Sequence, residues 1–140
     1  MSNKNFGFGT QIRKSPYFDS TVKWGATGFS VYNHMYMPVS YDGPVEDYKK
    51  LLSGVQLWDV GVERQVQIKG PDAEALSQFL TPRNIKKCSA GQAMYTPLTD
   101  FEGGLLNDPV MLKIAEDCYW FSVSDGDLLL WVQGIAAGYK

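Results

Sequence analysis

Apolar and polar positions change period several times along the chain, and each change marks an element. From 65 to 69, Val66 and Ile68 alternate with Gln65, Gln67 and Lys69, the two-residue period of a half-buried strand. The stretch before it, from Val55, reads as another strand. "DGPVEDYKKLLSG" carries helical signals instead: Pro44 in first position, Glu46 and Asp47 in the first turn, Lys49 and Lys50 late, Gly54 to end it. "GPDAEALSQFL" opens a second helix with Ala73, Leu76 and Leu80 on one face. "QAMYTPLTDFEGGLLNDPVMLKI" predicts strand, turn and strand, and "CYWFSVSD" a further strand paired with 110–114 through the short "AED" connection. "DGDLLLWVQGIAAGY" predicts a last helix, capped by Ser124 or Asp125 and apolar around nearly its whole circumference. Residues 1–30, rich in Gly, Ser, Lys and Thr, read as an irregular arm, followed by one domain over 31–140. Helix, strands, helix, strands is the order of an α+β fold, a mainly antiparallel sheet with flanking helices.

Composition narrows the chemistry. The 140 residues suit one domain with a real core. With 13 basic and 15 acidic side chains and no run of like charge, nothing marks a nucleic-acid or anionic-membrane surface. Cys88 and Cys118 lack CxxC spacing and the N-terminus lacks an apolar leader, so reduced thiols in a cytoplasmic protein are expected. His34 is the sole histidine, a poor basis for a metal site or a histidine triad; a loop role is expected, and no metal. Trp58, Trp120 and Trp131 are expected in the core. A final helix that needs cover on most sides, in a chain ending soon after Ile135, leads us to expect the N-terminal part of a longer protein whose remaining portion packs there.

"GGLLNDPV" holds the candidate chemistry. If 108–114 is extended, Asp108 shares a face with Val110, Leu112 and Ile114. An acid at the mouth of an apolar face is either turned toward a ligand or ends the strand, and Asn-Asp-Pro is also good turn chemistry. The same two-sidedness holds elsewhere. Tyr95 reads equally as a sheet aromatic, Ser124 as a helix cap, and Glu63 with Arg64 as a solvated charge pair.

"YNHMYMP", "VQLWDVGVERQVQIKGPDA", "TPRNIKKCSAGQAMYTPLTDFEGGLLNDPV" and "YWFSVSDGDLLLWVQGIA" together resemble the folate-binding aminomethyltransferase superfamily, the glycine-cleavage T-protein and its relatives. Within it the chain is most similar to the branch that demethylates dimethylsulfoniopropionate. The resemblance runs from about residue 30 to the C-terminus and implies the first part of a longer, partial folate-binding domain. In the family a tyrosine and, after twelve residues, an acid line the tetrahydrofolate pocket; Tyr95 and Asp108 match them. The T-protein has two acids where this chain has Asn107 and Asp108. The segment whose methionine touches the pterin matches Asp59 to Glu63, which places Glu63 toward the folate, and the small polar residue before the last helix matches Ser124.

What the resemblance implies is methyl transfer from a small sulfonium substrate to tetrahydrofolate, with the Asp108 carboxylate as the catalytic group and Tyr95, Asp108, Glu63 and Ser124 binding the cofactor. A neutral thioether leaves, so neither metal nor proton donor is needed, and alignment supplies most of the acceleration. A glycine-cleavage aminomethyltransferase, another folate-dependent demethylase and a folate-binding module without catalysis are the alternatives.

Overall fold

The alternation around Val66 becomes strand β4 (Gln65–Lys69), its two aliphatic side chains buried and its three polar ones exposed, in a computed structural model that describes residues 9–138. The chain divides into two units, through Val62 and from Glu63 onward.

In the second unit, β4 is followed by α3 (Ala73–Phe79), β5 (Ala93–Tyr95), β6 (Leu98–Thr99), β7 (Leu105–Asn107), β8 (Val110–Ala115), β9 (Cys118–Ser122) and α4 (Leu128–Gly138). Four strands form an antiparallel sheet in the order β4-β9-β8-β5, and β6 pairs with β7 separately. The short connection after Ala115 joins β8 to β9 as expected, because Met111 and Phe121 sit opposite one another and both must be buried. Val66, Ile68, Met111, Tyr119 and Phe121 cover one face of the sheet. Ala73 and Leu80 from around α3, Ile85, Leu98, and Leu128 and Val132 of α4 close the core over it. This is the expected α+β arrangement. The final helix begins later than expected, at Leu128 beyond Ser124 and Asp125; it buries one side and leaves Leu129 and Leu130 exposed.

The first unit contains β1 (Arg13–Lys14), α1 (Phe18–Lys23), β2 (Gly28–Tyr32), β3 (Met35–Ser40) and α2 (Pro44–Ser53). Its sheet runs β1-β3-β2, with β1 parallel to β3. Residues 1–8 of the expected arm lie outside the described residues. The rest of it carries β1 and α1, because Phe18 is buried against the rings of Phe29 and Tyr36, at centroid distances of 4.7 and 6.0 Å. Asn33 and His34 both take positive φ, 50° and 59°, as a two-residue turn between antiparallel strands requires. His34 thus has the loop position expected of it. Helix α2 has the predicted span; Gly54 donates its N–H to the Lys50 carbonyl, and the Asp47 carboxylate accepts the N–H groups of Tyr41 and Asp42 at 2.9 and 3.0 Å.

The stretch from Val55 to Val60, expected as a strand, is irregular, with Val55, Leu57, Trp58 and Val60 exposed. Alternation alone makes no strand where no neighbour offers a ladder. The order there comes from Asp59, which accepts the Ser15 hydroxyl at 2.5 Å and the Gly61 N–H at 2.9 Å. Cys88 and Cys118 are free and buried, and no helix among the described residues is long and apolar enough to cross a membrane.

Candidate functional site

An antiparallel sheet alternates strand starts and strand finishes along each end, and this brings the candidate residues into one row. β5 finishes at Tyr95, β8 starts two residues after Asp108, β9 finishes two residues before Ser124, and β4 starts two residues after Glu63. Tyr95 lies opposite Val110, Val110 opposite Ser122, and Ser122 opposite Gln65. All four candidates therefore occupy the same end of the sheet.

Three of them are joined. Asp108 Oδ1 accepts the Ser124 hydroxyl at 2.5 Å, and Oδ2 accepts the Tyr95 hydroxyl at 3.2 Å. Pro109, fully buried, holds the acid's backbone, its carbonyl accepting the Thr96 N–H at 2.9 Å. The Ser124 hydroxyl, ahead of that of Tyr95, keeps the Asp108 carboxyl below the ordinary carboxylate range, against a smaller opposing effect of desolvation. Desolvation first, then the hydrogen bond to the carboxylate and its charge, raise the Tyr95 phenol, so at neutral pH it is a donor. Asp108 is consequently an anion held by two neutral hydroxyls. Glu63 is at the right end of the sheet but exposed, and it makes no hydrogen bond to the three.

The fourth member of the cluster is one that sequence reasoning missed. Asn107 is only 5% exposed, and its side chain reaches the turn after β9: Nδ2 donates to the carbonyls of Ser124 and Asp125 at 3.2 and 3.3 Å, and Oδ1 accepts the Ser124 N–H at 3.1 Å. No local signal marked it: in β7 the structure exposes Leu105 and Leu106 and buries the amide, the reverse of what polarity suggests. Ser124 is therefore not a helix cap. Its backbone N–H and carbonyl are both engaged by the Asn107 side chain.

Asp108 shares its face with Val110, Leu112 and Ile114 as parity predicts, but that face points away from the core, which belongs to Met111. Beside the acid lies a shelf formed by Tyr95, 53% exposed, with Val110 and Leu112. Trp120 stands opposite Leu112, 38% exposed and fixed by its indole N–H on Gln67 Oε1 at 2.8 Å. Trp58, too, is exposed rather than in the core, whereas Trp131 packs against it. The hollow around Gly70, Pro71 and Leu76 and the one between Phe79, Phe101 and Trp131 include none of the joined residues; the exposure of Tyr95 and Val110 makes the site an open shelf. A carboxylate has about four acceptor positions, of which two are taken, so Asp108 can still accept hydrogen bonds from a ligand, and the row beside it is apolar. Among the described residues, no cluster of His, Cys, Asp or Glu could hold a metal.

The sequence profile of the GCVT N-terminal domain matches residues 17–134. The dimethylsulfoniopropionate demethylase DmdA of Ruegeria pomeroyi is 44% identical over 126 residues, covering 90% of this chain and 35% of that protein. An aminomethyltransferase of Bdellovibrio bacteriovorus is 32% identical over 106 residues, covering 76% and 29%, and one of Moorella thermoacetica 27% over 132 residues, covering 92% and 36%. The glycine cleavage system aminomethyltransferase T of Bartonella henselae has the same fold, with a TM-score of 0.71 at 19% identity over 92% of this chain and 37% of its own. The chain spans about a third of the length of the curated relatives it matches.

Proposed function

The chain belongs to the GCVT N-terminal domain family, and from that premise we propose that it serves tetrahydrofolate-dependent methyl transfer from dimethylsulfoniopropionate, giving methylmercaptopropionate and 5-methyltetrahydrofolate. The observation that carries this reading is the ionised Asp108 at the sheet end, held by Ser124 and Tyr95 beside a flat apolar row. The identity to the demethylase, 44% against 32% and 27% for two aminomethyltransferases, supports the sulfonium donor.

Tetrahydrofolate, when bound, supplies the nitrogen that accepts the methyl group. Asp108 contributes a fixed negative charge, of most value where positive charge develops in the transition state. Its two hydroxyl partners keep that charge in one place, which avoids reorganisation during the reaction. Tyr95, Val110 and Leu112 form a floor that orients a planar ring, and Glu63, which neighbours the row without joining it, is available to a ligand at its margin. The hydroxyls of Tyr95 and Ser124 are both committed to Asp108. That arrangement suits a donor whose leaving group needs no proton, as a thioether does, better than an amine or ether, which needs acid assistance. A reducing, cytoplasmic setting accords with the two free thiols, and the remaining portion of the relatives' length would supply the walls.

The test is calorimetry of this chain with tetrahydrofolate, followed by methyl-transfer assays, with sulfonium and with amine donors, on a chain of the relatives' full length. Asp108→Asn is expected to keep the fold and to lose folate affinity or turnover by at least tenfold. Unchanged kinetics in that variant would remove Asp108 from the mechanism, and turnover of the amine alone would move the protein to the aminomethyltransferases. Binding without turnover would leave a non-catalytic folate module.

A further inference from the structure

Asn107 makes three hydrogen bonds with one small side chain, and all three go to the same two residues of another segment. Its amide nitrogen lies 3.2 and 3.3 Å from the carbonyls of Ser124 and Asp125, and its oxygen 3.1 Å from the Ser124 nitrogen. Only an amide in this orientation satisfies the set, since two acceptors and one donor face it. The turn it grips continues into Gly126, which takes φ +144°; a Cβ there would lie 3.4 Å from the Asn107 nitrogen. The turn and the amide thus fit closely. The gripped residue is the one whose hydroxyl reaches Asp108 at 2.5 Å.

From this geometry we infer that Asn107 is a positioning residue: by clasping the backbone of Ser124 it aims the Ser124 hydroxyl at Asp108 and so fixes the carboxylate that faces the ligand. The assignment of a ligand rests on the function proposed above; the chain of contacts from Asn107 to Asp108 does not. A carboxylate at 107 would turn acceptor oxygens toward two carbonyl oxygens in a buried position, a combination that costs rather than stabilises.

The titration of the Asp108 carboxyl, followed by carbon NMR in this chain, separates a positioning role from a merely structural one. Tyr95, Glu63, Arg64, Asp125 and Asp127 are other titratable or charged side chains at this end of the sheet, and they are present in every variant compared. Ser124→Ala is expected to move the Asp108 midpoint upward. Asn107→Ala is expected to move it in the same direction, and the double variant no further than Ser124→Ala alone, because both act through one hydroxyl. A folded Asn107→Ala protein with an unchanged Asp108 midpoint overturns the inference, as does a double variant shifted by the sum of the two. Should Asn107→Ala not fold, the unsubstituted protein decides: the side-chain amide of Asn107 and the backbone amide of Ser124 must then titrate with the midpoint of Asp108, and pH-independent resonances overturn the inference. Tetrahydrofolate calorimetry on the same samples keeps the two readings apart. Absent binding with an intact coupling removes the folate and leaves the clasp.

Discussion

At the scale of the residue, the site depends on two hydroxyl groups that both donate a hydrogen bond to one carboxylate. An acid whose carboxyl is held below its ordinary range stabilises the fold above its unfolded pKa, and that contribution fades as pH falls through the folded pKa. Asp108→Asn removes the titration. The difference in melting temperature between the native chain and this variant is therefore expected to narrow as pH is lowered from neutral into the acid range, and thermal melts across that range read it; a gap that widened in acid would mean that the carboxyl is not held as described. Of this cluster, Asp108 and Tyr95 were legible only through the family pattern they match, because parity and turn chemistry alone left the acid open between a ligand-facing group and the end of a strand. Asn107 was not legible, because its burial depends on a turn some seventeen residues away, and nothing local distinguishes it from the turn chemistry of Asn-Asp-Pro.

At the scale of the element, the strongest expectations were those with a local cause. Helix α2 follows from its own terminal residues, and its start has a device beyond the usual cap: the Asp47 carboxylate takes up two backbone N–H groups ahead of the helix, and the first of these, from Tyr41, is what most lowers its pKa. Asp47→Ala is expected to speed hydrogen exchange at the Tyr41 and Asp42 amides while leaving exchange in β4 and β9 unchanged. No hairpin was expected at β2-β3, whose Asn-His turn shows itself only in the positive φ of both residues, and the irregular run after Val55 had a misleading local signal. Strands are decided by partners. Leu98 in β6 illustrates the non-local part: it is 0% exposed, its strand is only two residues long, and it fills the core beneath the main sheet. Leu98→Ala is expected to cost roughly 2–5 kcal/mol, as buried leucine truncations do, read from urea unfolding of the chain.

At the scale of the whole molecule, the decisive feature is that the shelf beside Asp108 is open. Tyr95, Val110, Trp120 and Ile114 expose large apolar surfaces on the side of the sheet opposite the core, and α4 exposes Leu129 and Leu130. Contiguous exposed apolar surface of this kind marks a place of interaction. A methyl transfer that relies on alignment needs its reactants enclosed on more than one side, because an open floor neither holds a donor in line nor keeps water from competing. The chain spans about a third of the length of its curated relatives, and we propose that further chain of that length supplies the enclosing walls. Residues 1–140 by themselves are accordingly expected to bind an apolar dye such as ANS and to show no methyl-transfer turnover with tetrahydrofolate and dimethylsulfoniopropionate, whereas a chain of full relative length is expected to turn over and to bind less dye per molecule. Turnover by the 140 residues alone would contradict this, since it would mean that one sheet face, with Asp108 at its end, suffices to align donor and acceptor in open water.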